Sequence, residues 1–157
     1  MNGVLDNGIK LGVPESMKLE HEELHEELFA ATQEPGEVGE AARRVADLLH
    51  EHFEKEEAFA LPPLGLLPAL AVGASGAELS QVLSLTERLK ADLPEMLAEH
   101  AAIVGALGVL EDAAERAGQP RYVRFADKLR LHARTEEEVS YPTAILIGEY
   151  VKLKLNG

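Results

Sequence analysis

Two segments of the chain carry the same pattern, "HFEKEEAFALP" at residues 52–62 and "HARTEEEVSYP" at 132–142. Each sets a His four residues before a Glu and ends on a proline six residues past that Glu. Four residues turn an α-helix by about 400°, so the two side chains stand about 40° apart on one face and one turn apart along the axis. A lone His precedes each segment. "EHEELHEEL" at 20–28 aligns with "EHAAIVGAL" at 99–107, with 31 residues from His21 to His52 and 32 from His100 to His132. The chain reads as two similar halves, each a helix with one His followed by a helix with His-x-x-x-Glu. A bundle with a pseudo-twofold axis would gather all four segments at its centre.

Apolar periodicity independently turns these residues inward. Met17, His21, Leu24 and Leu28 form one stripe, and Val45, Leu48, His52, Glu56 and Phe59 a second. Leu93, Met96, His100, Ile103 and Leu107 form a third, and Phe125, Leu129, His132, Glu136 and Val139 a fourth. A His–Glu pair on a helix surface is worth only about 0.3–0.5 kcal/mol. An unpaired carboxylate in an apolar core, by contrast, costs several kcal/mol. No Lys or Arg lies in the four stripes to neutralise Glu56 and Glu136, so a divalent cation is the natural source of positive charge.

Six such side chains exceed what one tetrahedral metal takes. The reading is two metals, two His on each, with Glu56 and Glu136 bridging and open positions left for water, dioxygen or peroxide. Without sulfur, imidazole and carboxylate suit iron, manganese, zinc or cobalt, and bridging carboxylates with open positions favour iron. The ferritin-like di-iron pattern needs Glu-x-x-His on two helices. Here that spacing occurs once, at Glu22 and His25, so this is a different di-metal bundle.

Ala, Leu and Glu dominate and aromatics are only 4%, which favours helices. Residues 1–13 read as an irregular arm and 14–157 as one domain. The first helix runs from Pro14 to about Thr32, where "QEPG" stops it, and the second from about Glu37 to Ala60, ended by Pro62-Pro63. The third runs from near Gly76-Ala77 to Ala117, with a kink or short break expected at Pro94. The fourth runs from about Pro120 to Tyr141, and Pro142 breaks it and begins "PTAILIGEYVKLKL". The expected architecture is all-α: an up-down-up-down four-helix bundle with a short C-terminal helix and an apolar loop between helices 2 and 3. That loop, "LPPLGLLPALAVGA" at 61–74, is too short and too proline-broken to span a bilayer. It packs over the bundle or offers a homo-oligomer contact.

With 28 acidic against 15 basic residues, the net charge of -13 sets aside nucleic acid and anionic membrane surfaces as partners. The absence of cysteine excludes disulfides, thiolate zinc sites, iron–sulfur clusters and cysteine nucleophiles. "MNGVLDNGIK" has no basic start and no apolar run, so a soluble, cytoplasmic protein is expected.

On His21, His52 with Glu56, His100, and His132 with Glu136, the chain resembles the hemerythrin-like, HHE cation-binding family, over roughly Pro14 to Pro142. The resemblance implies a four-helix bundle holding a non-haem di-iron centre with carboxylate bridges, in a family that binds oxygen, senses oxygen or iron, or handles reactive oxygen species. The chain departs from the oxygen carriers of that family. They have a further His one turn along the third helix, where Val104 stands, and an Asp at a longer spacing after the fourth-helix His, where Glu136 follows at i+4. The expectation is therefore a symmetric site, or one with His25 as an extra ligand. Oxygen or peroxide sensing, oxidase-like chemistry or detoxification then outranks reversible carriage, with non-redox iron or zinc binding or storage as the alternative. Haem would leave both buried Glu unexplained, and a plain interaction bundle would use the 61–74 segment as its contact.

Several nearby residues are expected outside the ligand set. His25 only flanks the inward stripe. His50 lies about 200° round the helix from His52 and faces solvent. Glu57 and Glu137 are expected at the surface or supporting the ligands, the "EHEELHEE" run as a solvated face, and Tyr122, Tyr141 and Tyr150 as packing residues.

Overall fold

The computed structural model describes residues 4–5, 9–74 and 77–157. Two short strands, β1 (Val4–Leu5) and β2 (Ile9–Lys10), pair antiparallel, so the expected irregular arm holds a small ladder and is irregular from Leu11 to Val13; residues 1–3 and 6–8 lie outside the described residues. Gly12 N–H then donates to the Pro62 carbonyl at 3.0 Å, tying the arm to the segment after the second helix.

Helix α1 covers Glu15–Thr32, with Pro14 at its N-terminal boundary as the sequence predicts. Helix α2 covers Gly36–Lys55. It does not reach Ala60 as α-helix, because Glu56–Ala60 widen into a π-helical turn closed by Leu61 N–H to the Glu56 carbonyl at 2.9 Å. The 61–74 segment is not a loop. It folds into a 3-10 turn, Pro62–Leu66, and a short helix α3, Leu67–Ala71. Leu61, Leu64, Leu66 and Leu70 are buried within the chain, while Leu67 and Val72 stay exposed.

The expected start at Gly76 lies outside the described residues. A 3-10 turn at Ala77–Ser80 leads into α4, Gln81–Arg116, which runs unbroken through Pro94. That proline is exposed, so water can satisfy the carbonyl whose helical partner it removes. By length and composition α4 would pass as a membrane span, yet its Met96–His100–Ile103–Leu107–Leu110 stripe is buried in the bundle. It ends at Gly118, which holds φ +66°; Gln119 N–H donates to the Ala114 carbonyl at 2.8 Å and Gly118 N–H to Glu115 at 3.1 Å, a Schellman closure.

Helix α5 covers Pro120–Thr135, a second π turn covers Glu136–Ser140, and α6 covers Tyr141–Asn156. Pro142 therefore does not break the fourth helix; it sits in the first turn of α6, two residues past the π turn. Both π turns begin at the Glu of a His-x-x-x-Glu pair and both are followed by Xaa-Pro. A proline ring clashes with the carbonyl four residues back in a regular helix, and the wider turn moves that carbonyl aside. The extra residue also shifts the inward face. Val139, expected inward, is 56% exposed, while Ser140 and Tyr141 are buried in its place.

The core is an all-α bundle in two apolar parts. One gathers Leu24, Leu28, Val45, Leu49, Phe53, Ile103, Leu107, Phe125 and Leu129. The other gathers Phe59, Leu61, Leu64, Leu89, Met96, Tyr141, Ala144 and Ile147. On each of the four long helical runs, the His and Glu singled out above fall between residues of the first part and residues of the second. They form a polar layer clamped between two hydrophobic ends.

Candidate metal centre

Six side chains meet in that layer. His21, His52, Glu56, His100 and Glu136 are each at most 3% exposed, and the His132 side chain is 10% exposed. They fall into two groups of potential ligating atoms, each within 4.8 Å of one another: His21, His132, Glu56 and Glu136, and His52, His100, Glu56 and Glu136. The two Glu belong to both groups. Exchanging His21 with His100, His52 with His132 and Glu56 with Glu136 turns one group into the other, which is the pseudo-twofold relation carried by the sequence repeat.

Carboxylates outside the layer orient the imidazoles. His52 Nδ1 donates to Glu99 at 2.9 Å and His100 Nδ1 donates to Glu137 at 3.1 Å. His132 Nδ1 donates to Glu20. Such bonds select the tautomer whose Nε2 carries a lone pair. The symmetry recurs here, since Glu20 and Glu99 each immediately precede the lone His of their half. His21 is the exception: its Nδ1 has no partner, and its ring stacks on Phe53 at 4.0 Å with planes 3° apart.

With Nδ1 bonded outward, the Nε2 atoms of His52 and His100 both point at the Tyr141 hydroxyl, at 3.1 Å and 3.2 Å. One O–H can satisfy only one of two lone pairs. Nε2 of His52 also lies 3.1 Å from Glu56 Oε1, that of His100 3.2 Å from Glu136 Oε1, and that of His132 3.2 Å from Glu136 Oε2. His21 Nε2 is farther, 3.8 Å from Glu136 Oε2. Both oxygens of Glu56, both nitrogens of His21, Nε2 of His132 and Oε2 of Glu136 are buried with no hydrogen-bond partner among the described residues.

Buried polar atoms are nearly always satisfied, so this concentration of unpaired donors and acceptors in one layer fits the binding of metal ions. The spacing fits as well. Donors at right angles and about 2.1 Å from a metal stand about 3 Å apart, close to the 3.1–3.2 Å separations among most of these atoms.

The electrostatics agree. Burial, and then the Glu136 carboxylate beside it, push Glu56 well above the usual carboxylate range. Burial also opposes charge on Glu136, but the polar groups of Glu56, His100, His132 and His21 close around it hold it well below that range. Burial lowers His52 despite its bond to Glu99. Burial pulls His132 down too, but Glu136 and Glu20 hold it above its ordinary value. Burial and the nearby Glu56 and Glu136 push the Tyr141 hydroxyl far up.

His25 joins neither group. It is exposed, with its ring edge-on to Phe53 at 4.9 Å. His50 pairs with Glu54 at 3.3 Å and its side chain is 72% exposed, as its angle on the helix predicts. Val104 is 39% exposed and away from the layer. Glu137 bonds a histidine of the layer, as do Glu20 and Glu99, and Tyr141 reaches two of them; the sequence reading puts Glu20 on a solvated face and Tyr141 in packing, and gives Glu99 no role. The signal for Glu20 and Glu99 was their shared place directly before His21 and His100.

Comparison with curated proteins and with solved structures returned no match. Residues 13–144 match the hemerythrin family, described as the hemerythrin HHE cation binding domain. That span holds all six side chains of the layer, and the chain belongs to the hemerythrin HHE cation-binding family.

Proposed function

We propose that the chain is a non-haem di-iron protein whose centre binds and reacts with small oxygen species, dioxygen or peroxide. The observation that carries this reading is the pair of ligand groups sharing Glu56 and Glu136. Glu56 and Glu136, common to both groups, would be placed to serve two metals at once, and the four His would divide two to each. A two-carboxylate, four-imidazole set without sulfur suits iron in both ferrous and ferric states, with zinc or manganese as competing occupants.

In this assignment His52, His100 and His132 are held by Glu99, Glu137 and Glu20, so their Nε2 atoms are ready to bind without reorganisation. His21 is held by stacking on Phe53. The apolar ends of the bundle keep bulk water from the layer and strengthen every charge interaction within it. The iron pair, when bound, supplies the electrons for reducing an oxygen species or the positive charge for holding one. We further infer an up-down-up-down arrangement, since α1 and α4 run from the second apolar part towards the first, and α2 and α5 run the opposite way.

The test is metal content per chain on protein produced with iron supplied, read with the ultraviolet–visible spectrum in air and after reduction. About two irons per chain with an oxo-bridged ferric absorption is the expected result. Zinc occupancy without visible absorption would turn the function to non-redox binding or storage. A chain that takes up no metal would overturn the assignment.

A further inference from the structure

Helix α5 differs in charge from the rest of the molecule. It carries Arg121, Arg124, Lys128, Arg130 and Arg134 against the single acid Asp127, on a chain whose net charge is -13. A groove runs along either side of it. Val104, Leu131, Arg134 and Glu137 line the groove towards α4, and Leu19, Glu20, Lys128 and Leu131 line the groove towards α1. Leu131 is the ridge between them, 65% exposed, with Leu19 55% and Val104 39% exposed. Three apolar side chains from three helices thus form one row across the bundle. The π turn adds a fourth at the end of α5 by turning Val139 outward. Single exposed leucines are ordinary on a protein surface, whereas a row shared by three helices marks a contact.

We propose that this face binds a second copy of the chain, α5 against α5, antiparallel about a twofold axis at Leu131. The arrangement of charge selects that occupant. Arg121 and Arg124 stand on the N-terminal side of Leu131, and Glu137 and Glu138 on its C-terminal side, all exposed. A twofold axis set across the helix brings residues equally far before and after Leu131 face to face. Arg124 and Glu138 are each seven residues from it, so each copy's arginine meets the other's glutamate. Val139 comes against the half-buried Val123 in the same way, eight residues to either side. Glu138 is free to change partners, because its pair with Arg134 is loose, at 3.6 Å with side chains 66% and 73% exposed. Lys128 faces Arg134 across the axis, but Glu23 and Glu27 already take up its charge, at 3.1 Å and 2.8 Å. The row of Leu19, Leu131 and Val104 runs in the direction of the axis, so each of its members packs on its own counterpart.

The contact lies beside the buried layer. Glu20 and Glu137, which line the two grooves, are the carboxylates that accept from His132 and His100. Pairing removes water from around them and strengthens those hydrogen bonds. The pairing is on α5 rather than on the 61–74 segment, whose Leu61, Leu64, Leu66 and Leu70 are buried within the chain. Helix α6 also shows exposed apolar residues, Leu146, Tyr150 and Leu153, but no such opposition of charge accompanies them.

The experiment uses the full chain and reads its mass by sedimentation at tens of micromolar. Wild type is expected at twice the 17.0 kDa of one chain, and Leu131→Glu at the mass of one, with an unchanged circular dichroism spectrum. Arg124→Glu and Glu138→Arg should each weaken pairing by about tenfold, because each sets like charges face to face, and the double variant should restore it. The chain has no cysteine of its own, so Leu131→Cys places one thiol at the axis. A disulfide needs its two Cα atoms within about 7 Å, so Leu131→Cys should link into a dimer on mild oxidation and Leu153→Cys, on α6, should not. A wild type that stays single at these concentrations would overturn the proposal. So would a dimer that survives Leu131→Glu and dissolves with Leu153→Glu, which would move the contact to α6. A charge-exchanged double variant as weak as the two single ones would overturn the antiparallel register.

Discussion

Glu99 stands immediately before His100 on α4, yet its carboxylate accepts a hydrogen bond from His52 on α2 at 2.9 Å. Lys55 reaches the other oxygen of the same carboxylate at 2.5 Å. One acidic residue thus fixes the tautomer of a ligand from the other half of the chain, and Glu20 does the same for His132.

Glu99→Gln keeps the shape of the side chain but weakens the acceptor and frees His52 to change tautomer. Metal affinity is expected to fall about 10–100-fold, measured by competition with a chelator of known affinity, while far-ultraviolet circular dichroism stays that of a folded bundle. Glu20→Gln should act on His132 in the same way. An unchanged affinity in both variants would deny these carboxylates their supporting role.

Glu56 stands in both ligand groups and is fully buried. Glu56→Gln should lower metal content by about half or more. The metal-free variant should be at least as stable as metal-free wild type, because the neutral amide removes the conflict with Glu136. Metal analysis and urea denaturation in excess chelator check the two halves of this expectation. Full metal content would end the bridging assignment.

Where α6 crosses α4, a Cβ placed on Gly148 would stand 2.2 Å from Thr86 Oγ1 and 2.6 Å from Thr86 Cβ. Thr86 is itself 2% exposed and cannot swing away. Gly148→Ala should cost about 1–3 kcal/mol of stability by chemical denaturation, and Gly148→Ala with Thr86→Ala should recover part of that loss.

Between α1 and α2, Glu34 receives hydrogen bonds from Gln119 at 3.1 Å and from the Tyr122 hydroxyl at 2.9 Å. These bonds, Gln119's first, hold its carboxyl below the ordinary value of 4.5. A carboxyl lowered on folding contributes stability above its unfolded pKa, and that contribution is lost as pH falls through the folded one. Tyr122→Phe should raise the Glu34 titration midpoint back towards 4.5, followed by carboxyl-carbon NMR. It should also reduce stability at neutral pH more than at a pH below the folded Glu34 midpoint, where the carboxyl is protonated in both the folded and the unfolded chain. An unmoved midpoint would show that Gln119 alone sets the shift.

The buried His/Glu layer was legible in the sequence because His21, His52, Glu56, His100, His132 and Glu136 obey the same 3.6-residue periodicity as the leucines around them. That legibility stops at Glu56 and Glu136. From there each π turn inserts a residue into the count, which a regular periodicity cannot register, so Val139 turns outward and Tyr141 turns in. The prolines at 62 and 142 read as breakers; at 142 the helix continues, because the widened turn makes room for the ring. Glu20 and Glu99 were hidden for a different reason. A Glu next to a His on one helix points about 100° away from it, towards solvent by default. Their partners are 112 and 47 residues distant, on neighbouring helices. The ladder at β1 and β2 has no alternating apolar run long enough to announce it.

The match between the two halves has a consequence for how such a centre can become uneven. A homodimer of identical helical hairpins, each with one lone His and one His-x-x-x-Glu, could assemble the same six ligands about a true axis. It would have to treat its two metals alike, because any residue placed beside one would be copied beside the other. Covalent fusion of the hairpins lifts that restriction. Aligned through the repeat, Leu61 and Tyr141 can differ only because they belong to one chain, so joining the halves is what lets the two sides of one layer, built from the same parts, become unlike.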